Sequence, residues 1–221
     1  MDHTTTILMT GVVTHDVRRF VVEKPDGFTW QPGQGVELAL DRDGWRQEAR
    51  PFTPTGLAED RVLELTIKAY AEHDGVTERL HGLSGGDRLL MSRPFGTITY
   101  RGRGTFIAGG AGITPFLAIL RRLARDGELS GHRLLCSHKT AADVICEKEL
   151  RLLLGERGHF TLTRESAPRF DHGRIDRDYL AARVDDLDQR FYVCGPQRFV
   201  ADVMATLSEL GATPDAIVFE S

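Results

Sequence analysis

Two stretches of the chain share one design, and it suits the binding of a phosphate. The first is Thr105-Phe106-Ile107-Ala108-Gly109-Gly110-Ala111-Gly112-Ile113-Thr114-Pro115-Phe116. It starts as a short apolar run and breaks at Gly109, Gly110 and Gly112. It restarts with Thr114 placed to cap a helix and Pro115 at the first helical position. Small residues let the backbone approach an anion, and the N–H groups and dipole of a helix start attract it. The second stretch, Phe191-Tyr192-Val193-Cys194-Gly195-Pro196, repeats the order of apolar run, glycine and proline. In a parallel sheet both turns lie at the carboxyl ends of strands, where ligands bind, and the Cys194 thiol sits there with them. Either stretch alone also fits an ordinary strand-to-helix turn. A lone cysteine is more often a buried structural residue than a reactive one.

Two further groups carry complementary chemistry. Arg50-Pro51-Phe52-Thr53 sets three tools close together on one strand. The arginine can grip a phosphate with two parallel hydrogen bonds, the ring can stack on a flat ring system, and the hydroxyl can bond a ring nitrogen. Lys68 and Tyr70 end the alternating strand Leu63-Glu64-Leu65-Thr66-Ile67-Lys68. Gly75, Val76 and Thr77 then open a short helix, with Thr77 as its cap, which makes a second phosphate-binding helix start. Taken singly, the first group also reads as an edge strand running into a proline-rich turn, and the second as a turn glycine and a cap.

These groups need two kinds of scaffold. The first hundred residues read as many short strands with turns such as Pro25-Asp26-Gly27 and Gln31-Pro32-Gly33-Gln34-Gly35. They predict a small antiparallel barrel with one short helix near residues 77–82 and strands that include 46–55 and 97–100. Beyond the polar, glycine-rich Arg101-Gly102-Arg103-Gly104 the pattern changes. Strands are predicted at 105–108, 133–137, 160–163, 191–194 and 216–219. Helices are predicted at 115–126, 147–154, 177–183 and 196–210. That alternation implies a doubly wound α/β parallel sheet with helices on both faces. The expected fold is α+β with two domains, a β-barrel over 1–101 and a Rossmann-like domain over 102–221.

Composition narrows the function. The chain has 221 residues, 41% apolar and 27% charged, which suits a globular protein of one large or two small domains. No run of eighteen apolar residues occurs, so no membrane span is expected. The start, Met1-Asp2-His3-Thr4-Thr5-Thr6, lacks the features of a signal peptide. A net charge of -4 argues against nucleic acid as the main partner. Cys136, Cys146 and Cys194 are far apart, without metal-ligand or iron–sulfur spacing, and fit a reducing cytoplasm.

The four groups, in this order, resemble the ferredoxin–NADP reductase superfamily, with its cytochrome b5 reductase-like and bacterial flavodoxin reductase-like members. The resemblance covers almost the whole chain, and the combination is far more specific than any one motif. It implies an NAD(P)H-dependent flavoprotein oxidoreductase. The first domain would bind FAD, favoured over FMN, through Arg50, Pro51, Phe52 and Thr53, with Thr66, Lys68, Tyr70, Gly75, Val76 and Thr77. Phe52 stands where the family usually has tyrosine, so the ring remains and the phenol hydroxyl does not. Gly109, Gly110, Gly112, Ile113 and Thr114 match the family's nicotinamide-nucleotide loop, and Cys194, Gly195 and Pro196 its Cys-Gly-Pro motif. Thr53, Cys194 and Glu220 would line the transfer point, and no metal site is expected.

The coenzyme reading rests on two strand ends. An NAD-selective site places an acid after the second strand to hold the ribose diol. Here that strand runs into Ser137-His138-Lys139-Thr140, and no acid appears until Asp143. Arg164, after the third strand, is similar to a residue that receives the 2′-phosphate in NADPH-using relatives. Ser137, Lys139 and Arg164 therefore favour NADPH over NADH. With no haem or iron–sulfur motif in the chain, a separate acceptor such as a flavodoxin, a ferredoxin or an oxygenase or cytochrome component is expected, served by a monomeric, cytoplasmic enzyme. Arg18, Arg19, Arg42, Arg46 and Arg93 would supply a basic landing face. Two alternatives stand beside this. One is a flavin or ferric reductase with a small-molecule acceptor. The other is a flavin-binding electron-transfer subunit of a larger complex.

Overall fold

The computed structural model describes residues 1–70, 75–96 and 98–219. The chain divides into two compact units, Met1–Thr97 with Thr114–Arg122, and Ile98–Ile113 with Leu123–Ser221.

The first unit is built on six antiparallel strands: β1 (His3–Val12), β2 (Val17–Glu23), β3 (Val36–Leu40), β4 (Arg50–Phe52), β5 (Val62–Lys68) and β6 (Arg88–Met91). Their order is β4-β3-β6-β1-β2-β5. A bridge between Pro54, just beyond β4, and Leu65 on β5 draws the two edges together into a nearly closed barrel, which leaves little open edge. Strict alternation explains the inside. Leu63, Leu65 and Ile67 of β5 and Phe20 and Val22 of β2 are buried in one cluster. The short helix α1 (Val76–His81) adds Val76 and Leu80 to that cluster.

Two expected strands differ. The 46–55 segment pairs only over Arg50–Phe52. Arg46 turns back locally, its guanidinium 2.8 Å from Asp41 and 2.5 Å from Asp43, and this folds residues 42–47 into turns. Residues 98–100 form no strand, and Thr97 lies outside the described residues. Tyr100 instead stacks on Tyr192, with ring centroids 5.9 Å apart, and its hydroxyl lies 2.9 Å from His132 Nε2.

The second unit is a parallel sheet of β7 (Gly104–Gly109), β8 (Arg133–His138), β9 (Gly158–Leu162), β10 (Asp171–His172), β11 (Arg190–Cys194) and β12 (Ile217–Phe219). Its order is β10-β9-β8-β7-β11-β12. Every residue of β7 is buried, as expected for a central strand covered on both faces. The helices are α2 (Thr114–Arg125), α3 (Glu147–Leu154), α4 (Arg177–Ala181) and α5 (Gln197–Leu210). Val200, Val203 and Leu207 recur on one buried face of α5. Gly211, at φ +111°, ends it in the left-handed conformation that glycine adopts without cost. The chain fills the sheet outward from β7 to β10, then returns to the other side of β7 for β11. This reversal makes the crevice between the carboxyl ends of β7 and β11 the expected ligand position. Among the described residues no helix is long and apolar enough to cross a membrane.

Candidate functional site

The two glycine stretches meet. β7 and β11 are neighbours, with Ala108 opposite Cys194, so their exits lie side by side. A 3₁₀ turn, Gly110–Ile113, joins β7 directly to α2. Thr114 is therefore the first residue of the helix and not its cap, and Pro115 stands one place later than its sequence position predicts. A Cβ on Gly112 would lie 2.3 Å from the carbonyl oxygen of Cys194. A Cβ on Gly109 would lie 2.9 Å from the Phe199 ring, and one on Gly195 would lie 2.8 Å from that ring and 3.1 Å from Gly109 Cα. Gly110 has φ +55° with open space around its Cβ position. The result is a floor of bare backbone, underlain by Phe199 and leading into the start of α5. Pro196 is the N-cap of α5, with Gln197 as the first helical residue. Pro196 thus stands one position before the place its spacing implied, because Gly195 and Pro196 complete the extended exit from β11. Cys194 is buried and forms no disulfide.

The rim beside this floor comes from β8 and β9. Ser137 is buried near the end of β8. Lys139 and Arg164 are exposed. The Arg164 N–H donates to the Lys139 carbonyl (2.9 Å) and the Thr163 N–H to the His138 carbonyl (2.9 Å), which holds the two exits together. The nearby acids are engaged by backbone. Asp143 Oδ2 accepts from the Thr140 N–H and hydroxyl, both at 2.7 Å. Glu165 Oε2 accepts from the Ala141 N–H at 2.8 Å. The Asp143 part was legible as a Thr-x-x-Asp capping pattern; the reach of Glu165 across from β9 was not. Cys136 lies fully buried, its Sγ 3.1 Å from His138 Nε2, and burial pushes its thiol far above the usual range. It is a packing residue.

In the first unit, Arg50 and Pro51 are exposed on β4. Arg50 donates to its neighbour Ala49's carbonyl (2.7 Å) and stands 3.6 Å from Glu48. Phe52 is half-buried against the barrel core, and Thr53 is buried. Lys68 is ion-paired with Asp16. Burial works to raise the Asp16 carboxyl, but hydrogen bonds from Lys68 and Thr14 prevail and hold it below its usual value. Tyr70 lies just past β5 and is exposed. Gly75 caps α1 through backbone alone, Val76 is its first residue, and Thr77 makes no capping bond. Burial of Val76 in the barrel core, at 2% exposure, draws the helix start one residue earlier than the sequence placed it. Glu220 and Ser221 lie outside the described residues.

Thr66 does not stand alone. Its hydroxyl is 3.2 Å from that of Thr55, which donates to Glu64 Oε1 at 2.9 Å. Arg121 of α2 donates to the same Glu64 oxygen at 2.6 Å and to the Thr55 carbonyl at 2.7 Å. This network ties the helix that leaves the glycine loop to the strand segment just after Thr53. Sequence reasoning missed Arg121, Glu64 and Thr55. Four of the five arginines expected to form a basic landing face are instead paired with acids: Arg19 with Glu64, Arg42 with Asp87, Arg46 with Asp41 and Asp43, and Arg93 with Asp2.

Residues 106–205 match the family described as the oxidoreductase NAD-binding domain. An NADPH oxidoreductase of Mycobacterium tuberculosis is 29% identical over 195 residues, covering 84% of this chain and 50% of the relative. The ferredoxin–NAD(P)(+) reductase component of the naphthalene 1,2-dioxygenase system of Pseudomonas putida is 25% identical, covering 96% of this chain and 66% of the relative. The FAD/NAD-binding domain of a nitric oxide dioxygenase from Vibrio cholerae superposes with a TM-score of 0.88 at 25% identity, covering 98% of this chain and 97% of that one. Residues of the second unit thus match an oxidoreductase NAD-binding family, and the chain as a whole shares the fold of that FAD/NAD-binding domain. The chain spans half to two thirds of the length of these two curated relatives.

The residues present fit the cofactors this family implies. At Gly109, Gly112 and Gly195 a Cβ would overlap the Phe199 ring or neighbouring backbone, so glycines alone let the two strand exits pack this closely, and loops of bare backbone leading into helices suit a pyrophosphate. On the barrel, Arg50 is an exposed guanidinium whose ion pair with Glu48, at 3.6 Å, is itself solvent-exposed, and such a donor set suits the phosphate of a flavin nucleotide.

Proposed function

We propose that this chain is an NAD(P)H-dependent flavoprotein reductase that passes electrons to a separate acceptor. Residues 1–101 form the FAD-binding part and residues 102–221 the NAD(P)-binding part. The observation that carries this reading is the contact of Gly112 with the Cys194 carbonyl, which welds two strand exits into one side-chain-free floor at the sheet's switch point.

Each group then has a task. Gly109, Gly110, Gly112, Ile113, Gly195 and Pro196 receive the coenzyme's pyrophosphate on backbone N–H groups. Ser137, Lys139 and Arg164 take the 2′-phosphate, which makes NADPH the preferred donor over NADH. Arg50 and the start of α1 hold the flavin phosphates, Lys68 and Tyr70 flank the ribityl chain, and Pro51, Phe52 and Thr53 border the ring. Thr66 acts in a different way, fixing Thr55 behind Thr53. Cys194 and Thr114 orient the nicotinamide. When bound, FAD supplies the capacity to accept a hydride and release single electrons. The protein contributes alignment of donor and acceptor and exclusion of water. The name of the Pseudomonas relative, an oxygenase-system reductase component, supports a separate protein acceptor of that kind. A cytoplasmic, monomeric enzyme completes the reading.

An anaerobic visible-absorption titration tests it. The flavin-loaded protein should bleach on adding NADPH and bleach more slowly with NADH. A protein that binds no flavin, or whose flavin neither coenzyme reduces, would overturn the proposal.

A further inference from the structure

A cavity of about 210 Å³ opens in the second unit, lined by residues from the beginnings of β7 and β8 and the turn before β11. This is the opposite end of the strands from the glycine floor. Its walls carry three guanidiniums, from Arg103, Arg133 and Arg157, together with Asp185 and Asp186. The acids are already committed. Asp185 lies 3.5 Å from Arg133, and Asp186 accepts from the Asp188 N–H at 2.8 Å. Among the described residues Arg157 donates only to the Leu129 carbonyl. Arg103 has no side-chain partner among the described residues. Its stem is nevertheless placed, because it lies over Gly131, where a Cβ would come within 2.7 Å of Arg103 Cδ. Gly131, at φ +82°, leaves room for that stem.

At the base of the same cavity sits His132, 3% exposed. Its Nε2 is engaged by Tyr100, while its buried Nδ1 has no well-formed hydrogen bond. The carbonyls of Ser130 and Leu129 favour the protonated ring, but burial outweighs them, and Arg157 and Arg103 add to its effect. Burial thus disfavours the charged form of the imidazole. A buried polar atom without a partner is costly, and so are neighbouring cations without a counter-charge. An oxyanion bound in the cavity supplies the missing counter-charge.

We propose that this cavity is an oxyanion site, distinct from the coenzyme floor, in which Arg103 and Arg157 grip a phosphate group beside the His132 ring. With three guanidiniums against two carboxylates the cavity keeps an excess of positive charge, which favours an oxyanion, and a tetrahedral phosphate offers enough acceptors to reach both Arg103 and Arg157. The shared chemistry covers free phosphate and a phosphate monoester alike.

The test is a titration of the flavin-loaded full chain with inorganic phosphate at constant ionic strength, chloride serving as the control. The His132 ring resonances are followed by NMR. A saturable shift is expected that chloride does not reproduce. Arg103→Met and Arg157→Met should each weaken it about tenfold or more, while Lys139→Met, at the opposite end of the sheet, leaves it unchanged. Glycerol phosphate run in parallel separates the sources: tighter binding than inorganic phosphate assigns a monoester, equal or weaker binding assigns the free ion. Absence of a saturable shift, or a shift that survives both arginine substitutions, would overturn the proposal.

Discussion

Gly112→Ala probes the contact on which the functional reading rests. The new methyl group would lie 2.3 Å from the Cys194 carbonyl oxygen, 2.4 Å from its carbon and 2.6 Å from the Gly195 nitrogen, where ordinary contact begins at 3.4 Å. All three are backbone atoms, so no rotamer can relieve the overlap. The two strand exits must part by roughly 1 Å, and overpacking of this kind costs about 1–3 kcal/mol. For a chain of this size, about 2 kcal/mol lowers the melting temperature by roughly 4–8 °C. The catalytic effect should be larger, since a displacement of about 1 Å in a positioning element can cost about 100-fold in rate. Gly110→Ala is the matched control. Its Cβ meets nothing within 4 Å, and its φ of +55° adds only about 1–2 kcal/mol of local strain. Stopped-flow reduction of the bound flavin by NADPH measures the difference, with the flavin spectrum showing that the barrel is intact. Gly112→Ala should lose about two orders of magnitude, and Gly110→Ala no more than a few-fold. If Gly112→Ala reduces its flavin as fast as Gly110→Ala, the two loops do not form one coenzyme floor.

Three further outcomes follow from the same geometry. Lys139→Ala and Arg164→Ala should each lower kcat/KM for NADPH by about tenfold while leaving NADH nearly unchanged; a constant NADPH/NADH ratio in both variants would refute the 2′-phosphate assignment. Arg121→Met removes the nearer and more buried of the two guanidiniums paired with Glu64. The Arg121 and Glu64 side chains are 21% and 17% exposed, so the loss should be about 2 kcal/mol, below the figure for a fully buried pair. Adding Glu64→Gln should restore part of it in thermal melts. His81, His132 and His159 are all held below 6.5, by burial first in each case. The unfolded chain therefore takes up protons that the folded chain refuses once the pH falls below 6.5. Stability should be level from pH 8 to 7 and fall from 6.5 toward the lowered folded values. The Asp16 and Asp87 carboxylates, also lowered, act only below their ordinary 3.8, so a flat melting temperature between pH 7 and 5.5 would contradict the burial of these rings.

What the sequence disclosed depended on the range of the interaction. β5 and the helix α3, Glu147–Leu154, were legible because a period of two or of 3.6 is written into neighbouring residues. The glycine floor was half legible. Each loop announces itself, but that Gly112 abuts Cys194 depends on β7 pairing with β11, some eighty residues on. The 46–55 segment carried a strand-like pattern, yet Arg46 found Asp41 and Asp43 first. The Arg121 network was invisible for the same reason in reverse. Helical spacing marks Arg121 only as a polar position on α2, and its partners Glu64 and Thr55 lie 57 and 66 residues away.

At the rim of the proposed coenzyme floor such distant bonds bear on the choice of coenzyme. Two acids, Asp143 and Glu165, lie close enough to the end of β8 to suggest the ribose diol as their target. Each instead accepts backbone N–H groups in the turn at Thr140 and Ala141. Turning either toward a ribose would strip those donors of their acceptor, at a cost of about 1–3 kcal/mol for each group left buried. That is comparable to what a carboxylate bonded to a diol returns, so the exchange brings little gain. Lys139 and Arg164 stand under no such constraint. Their backbones are joined across the two strand exits at 2.9 Å, while their side chains extend into solvent. The acids that could have favoured NADH hold the turn together, and the proposed preference for NADPH rests on the cations left beside them, Lys139 and Arg164.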